Sequence, residues 1–65
     1  MYLITVYDTK TKKIKDETFK IVLDKITTTS LTSLKIYKKL FMKKFAGKDI
    51  VTRQRTSKGW IEINI

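Results

Sequence analysis

Hydrophobic and polar positions divide the chain into five stretches, and the period changes from one to the next. Tyr2-Leu3-Ile4-Thr5-Val6-Tyr7 is β-branched and aromatic, a content that suits a pleated, half-buried strand. Asp8-Thr9-Lys10-Thr11-Lys12-Lys13 follows, polar and turn-prone, with Asp8 placed to close an Asx-type turn. From Ile14 to Leu23 the period is ambiguous. Read as a strand, Phe19, Ile21 and Leu23 point to one face, and Lys20 and Val22 to the other; read as a helix, Phe19, Val22, Leu23 and Ile26 gather on one side. The Thr, Phe, Ile and Val content and the preceding turn favour a strand, and so a hairpin with the first one. Between residues 17 and 26 the helical alternative stays open.

Thr27-Thr28-Thr29-Ser30 supplies hydroxyls for an N-cap, where an oxygen accepts a free amide hydrogen of the first helical turn. A helix is predicted from about Leu31 to Ala46, closed by Gly47 in the left-handed conformation that glycine tolerates best. At a hundred degrees per residue, Leu31, Leu34, Tyr37, Phe41 and Phe45 form one apolar ridge. Ile36 and Leu40 fall on a different side, and Thr32, Lys35, Lys39 and Lys43 make a narrow polar strip. The apolar arc is therefore wider than the ~100° stripe of an ordinary surface helix. Either a curved sheet wraps it, or Ile36 and Leu40 meet a second copy of the chain in a homodimer, which is the preferred expectation.

Two further strands, residues 49–56 and 60–65, flank Ser57-Lys58-Gly59. Ile61, Ile63 and Ile65 alternate with Trp60, Glu62 and Asn64, so the isoleucines face the core. Residues opposite each other in an antiparallel pair share a face. An even-numbered loop then places Ile50, Thr52 and Gln54 with the isoleucines, and Val51, Arg53 and Arg55 with Trp60 and Glu62. An odd loop would bury both arginines at heavy cost. The pattern selects the even loop. The predicted fold is α+β, in the order ββαββ: an antiparallel sheet of two hairpins with one helix on one face. It forms a single small basic domain over residues 1–65.

Composition sharpens this outline. At 65 residues the core supplies only ~3–5 kcal/mol net. With no cysteine and no histidine, neither a disulfide nor the usual zinc ligand sets can staple it. Fifteen basic residues against six acidic ones give a net charge of +9, which points to an anionic partner: nucleic acid (DNA or RNA) or an acidic protein. No apolar run approaches the ~20 residues of a membrane span, and residues 1–8 lack the basic leader of a signal peptide. A cytoplasmic protein that does not engage membrane is expected. The dominance of Lys, Ile and Thr, whose codons are AT-rich, suggests a bacterial, phage or plasmid gene.

From Lys25 through Lys48 the chain holds seven lysines and no acidic residue. Lys43, Lys44 and Lys48 complement the negative end of the helix dipole. Lys35, Lys39 and Lys43 instead stand at successive i,i+4 positions, where like charges repel by ~0.2–0.5 kcal/mol per pair. An external anion would relieve that repulsion. A second candidate set is Arg53, Arg55 and Lys58 for phosphate, with Trp60, and Tyr7 beside it, for stacking on a base. Against it stands a partner-free arrangement, with one arginine paired to Glu62 and another over the indole. The helix strip and the hairpin face are expected to point in opposite directions.

Catalytic chemistry finds little footing. No glycine-rich loop is present, since Gly47 and Gly59 are the only glycines, and no carboxylates converge by spacing. No enzyme, no cofactor and no metal are expected. The function expected is that of a small basic accessory protein binding nucleic acid non-specifically through phosphate. The alternative is an interaction module that docks on an acidic protein.

Overall fold

In the computed structural model, all residues 1–65 are described. The elements are β1 (Tyr2–Ile14), β2 (Glu17–Thr28), α1 (Leu31–Lys44), β3 (Asp49–Thr56) and β4 (Gly59–Glu62). All four strands lie in one antiparallel sheet of order β2-β1-β3-β4. The α+β, ββαββ architecture thus follows the hydrophobic pattern, with the two hairpins joined edge to edge by β1 and β3.

The ambiguous residues are strand, and the first hairpin is longer than its sequence suggests. The polar stretch after Asp8 does not reverse the chain. Strand pairing continues to Ile14 opposite Glu17, and the turn is made by Lys15 and Asp16, with φ of 49° and 65°. Two consecutive positive φ values make the tight turn whose twist matches that of the flanking strands. Asp16 tolerates this conformation; Lys15 carries a cost of about 1 kcal/mol. The Asx bond foreseen at Asp8 does form, from the Lys10 amide at 3.2 Å. It sits in an irregular stretch of ladder between Tyr7 and Thr11 and bends the strand without turning it.

Ser30 caps α1, its hydroxyl accepting from the Ser33 amide at 3.3 Å. The helix stops at Lys44, two residues before the expected end. Phe45 leaves helical geometry (φ −118°) while its amide still donates to Phe41 O at 2.7 Å, and Gly47 follows at φ +80°. Alternation places Ile4 and Val6 of β1 and Thr52 of β3 beneath the helix, and the buried core is Ile4, Val6, Leu34 and Phe41. Tyr37, Phe45, Ile50, Ile63 and Ile65 pack partly buried around it. Phe41 and Phe45 meet edge to face at 5.6 Å. Leu31 lies at the margin of the ridge, exposed. Ile61 shares the helix side of the sheet through its pairing with Gln54 but is exposed as well.

Beyond β4 the chain stays beside β3: the Ile63 amide donates to Thr52 O at 2.9 Å, and the Thr52 hydroxyl donates to Ile63 O at 2.6 Å. The buried Thr52 is thereby satisfied. No helix is long and apolar enough to cross a membrane.

Candidate functional site

Only one face of the sheet carries a helix. The other face is a single uncovered layer, and its residues follow from strand parity: Leu3, Thr5 and Tyr7 on β1, Val51, Arg53 and Arg55 on β3, Trp60 and Glu62 on β4. Arg53 lies opposite Glu62 and Arg55 opposite Trp60, across the two-residue loop Ser57-Lys58. The even loop and the shared outward face of Arg53, Arg55, Trp60 and Glu62 are therefore as the isoleucine pattern required. Lys58 is exposed at the tip of this hairpin, where its amide donates to the Thr56 hydroxyl at 3.2 Å.

Three cations on this face sit against aromatic rings, not against acids. Arg53 donates from Nη1 to the Tyr7 hydroxyl at 3.0 Å, with its guanidinium carbon 5.8 Å from the ring centre. The Lys20 ammonium lies 5.2 Å from the same ring, and the Arg55 guanidinium 5.9 Å from the Trp60 ring. Aromatic faces attract such cations without neutralising them. Glu62 stands across the strand from Arg53, yet no salt bridge joins them; the single salt bridge of the molecule is Lys48 Nζ to Asp8 Oδ1 at 3.0 Å. Arg53 makes one side-chain hydrogen bond inside the protein, from one of its five donors.

Two basic residues of this face, Lys20 and Lys25, escaped the reading of the sequence. Five positions apart on a regular strand, they would point to opposite faces. Val6 pairs with Asp24 but Tyr7 pairs with Val22, so Leu23 is an extra residue in β2. This bulge flips the parity of the strand. Lys25, opposite Thr5, and Lys20, over Tyr7, are thus brought to one face. No local sequence signal marks Leu23 as a bulge. The face then holds Lys20, Lys25, Arg53 and Arg55 against Asp49 and Glu62.

Lys35, Lys39 and Lys43 are exposed on the outside of α1, on the opposite side of the two-layer molecule. None has a carboxylate within salt-bridge distance. Lys35, Lys38 and Lys39 line, with Met42 and Ile65, a shallow groove of about 390 Å³ beside the helix, and Lys38 Nζ donates to Ile65 O at 2.8 Å. The two predicted basic sets therefore remain two surfaces. A third concentration lies on the first hairpin beyond Asp8, where Lys10, Lys12, Lys13 and Lys15 are all exposed. Their spacing resembles a polar turn, which hid them in the sequence.

Comparison with known proteins gives no match to a family model, a curated protein or a solved structure. The chemistry of these surfaces is what speaks to function.

Proposed function

We propose that this protein binds nucleic acid, largely without regard to sequence, by holding phosphates against the uncovered face of its sheet. The observation that carries the reading is the pair of arginines on that face. Each lies over an aromatic ring, and Arg53 leaves an acidic residue directly across the strand unused. A guanidinium braced on a ring loses less side-chain freedom when it meets a phosphate, and its planar fork suits phosphate oxygens. Lys20 and Lys25 extend the same positive surface across the sheet, and Trp60 offers a rim on which an unpaired base can stack.

The helix strip Lys35, Lys39 and Lys43 and the hairpin lysines add to a field that draws a polyanion in from a distance. Thirteen lysines against two arginines favour point-charge attraction over bidentate reading of base edges. An origin in phage or plasmid suits a small accessory protein of this kind.

Gel-shift titrations at two salt concentrations test the reading, using single- and double-stranded DNA and RNA. Affinity should fall steeply with salt. Replacing Arg53 and Arg55 together with alanine should reduce the slope of log K against log salt by about 1.4–1.8, since each phosphate contact contributes ~0.7–0.9. Replacing Lys35, Lys39 and Lys43 should weaken binding less. Absence of binding to all four probes at low salt removes the proposal. An acidic protein that remains bound after nuclease treatment of the purified material would transfer the surface to a protein partner instead.

A further inference from the structure

The molecule exposes more surface than a free-standing chain of its mass should. Its accessible area is 5083 Å², against about 4300 Å² expected for a folded monomer of 7.7 kDa. The excess of about 800 Å² equals what one partner buries in a standard interface. The radius of gyration agrees: 12.8 Å against about 11 Å for a compact chain of this length.

The excess is localised. Every residue from Thr9 to Leu23 is exposed, although the stretch includes Ile14, Phe19, Ile21, Val22 and Leu23. Lys20 and Val22 share the uncovered face with Tyr7, so Phe19, Ile21 and Leu23 line the helix side of β2. The helix does not reach over them, since its core contacts are Ile4 and Val6 of β1. Met42 borders the groove by Ile65, past β4, so the other flank of α1 overlooks β2. That flank carries Leu40, with Ile36 next to it, 56% and 53% exposed. β2 is also an edge strand of twelve residues with no partner on its outer side, an arrangement that invites pairing.

We infer that a second copy of this chain covers this surface, β2 pairing antiparallel with its counterpart about a two-fold axis near Ile21. Three features select a second copy over another protein. A two-fold axis near Ile21 matches the free amides and carbonyls of the edge between Phe19 and Leu23 with their own complement, up to the bulge at Leu23, and it closes the assembly at two chains. The same operation faces the Ile36 and Leu40 flanks of both helices above the Phe19, Ile21 and Leu23 rows, so the edge and the flank are covered at once. Lastly, β2 is electrically balanced on a chain of net +9: Glu17 and Asp24 offset Lys20 and Lys25. Self-contact at this strand escapes the repulsion that any lysine-rich face would meet. The product is a continuous eight-stranded sheet with two helices on one side and two uncovered basic faces joined on the other. The inference rests on exposure and geometry, independently of what the basic face binds.

The chain lacks cysteine, which permits a clean test without nucleic acid. Opposed residues near a dyad have Cα atoms ~4.5–5.5 Å apart, within disulfide reach. Under mild oxidation, Ile21→Cys should cross-link into a covalent dimer at low micromolar concentration. Ile61→Cys, on the exposed opposite edge, should remain uncoupled. Sedimentation equilibrium of the unmodified chain should give twice 7.7 kDa. Leu40→Glu, at an exposed position that leaves the monomer fold intact by circular dichroism, should raise the dimer dissociation constant about tenfold or more. A monomer mass persisting to high concentration, open-ended polymers, or equal cross-linking at Ile21→Cys and Ile61→Cys would overturn the inference.

Discussion

The two halves of β1 are continuous in the chain and opposite in character. Residues 2–7 pair with β2 on one side and β3 on the other; they contribute Ile4 and Val6 to the core beneath the helix, and Thr5 is buried on the opposite face. Residues 11–14 pair with β2 alone, and nothing from residue 9 to residue 14 is buried. Hydrogen bonding is similar in kind in both halves; the difference is a second neighbour and a helix overhead. A two-stranded ribbon is marginal by itself in water, so the packed half bears the stability of the fold. The projecting half is free to carry lysines and an apolar edge. In so small a protein, the buried core and a lysine-rich exposed ribbon occupy different parts of one strand.

Substitution in each half gives the largest test of this contrast. Leu34→Ala removes a fully buried side chain from a four-residue core and should cost about 2–5 kcal/mol, as much as the whole stability of a domain this size. The variant should lose its cooperative thermal transition by circular dichroism. Ile14→Ala, in the ribbon, should shift stability by less than about 0.5 kcal/mol. Comparable losses from the two would show that the ribbon is part of the cooperative unit.

Deletion of Leu23 sharpens the comparison at the boundary between the halves. Without the extra residue the parity of residues 17–22 reverses, and Lys20 leaves the uncovered face. The ring-current shift of its side-chain protons over Tyr7 should vanish in NMR spectra. The salt dependence of nucleic-acid binding should fall by about 0.7–0.9 in slope. Persistence of the Tyr7 contact would show that the bulge migrates instead.

A smaller effect is expected from Tyr7→Phe, which removes the hydroxyl accepting from Arg53 while keeping the ring beneath it. A loss of about 0.5–1.5 kcal/mol in urea denaturation is expected, together with increased mobility of the Arg53 guanidinium.

The smallest effect concerns Asp8. Its hydrogen bond from Lys48, joined by the amide of Lys10, holds its carboxyl below the ordinary 3.8. The unfolded chain then binds the proton more readily. The contribution of Asp8 is present in full above the unfolded value and is lost as pH falls through the folded one. Asp8→Asn should flatten the acid limb of the stability curve slightly and leave neutral-pH binding unchanged.

Much of the fold was legible in the chain because it depends on short-range alternation. The isoleucines of 61–65 dictated the parity of the last hairpin, and with it the outward face of Arg53, Arg55 and Trp60. Ser30 and Gly47 bracketed the helix because capping chemistry is local. The turn at Lys15 and Asp16 was not legible, since neither residue demands a positive φ as Asn-Gly would, and the threonine–lysine run before it is compatible with loop and exposed strand alike.

By itself, then, the sequence determined the element order, the helix ridge built on Leu34 and Phe41, and the excess of positive charge. Each is a matter of side-chain period or composition that needs no knowledge of distant residues. Only the tertiary structure decided that Lys20 and Lys25 share a face, that the helix leaves residues 17–23 of β2 uncovered, and that Arg53 turns to Tyr7 and away from Glu62. Those outcomes depend on register between strands, where one additional residue at Leu23 redirects side chains along the rest of the strand.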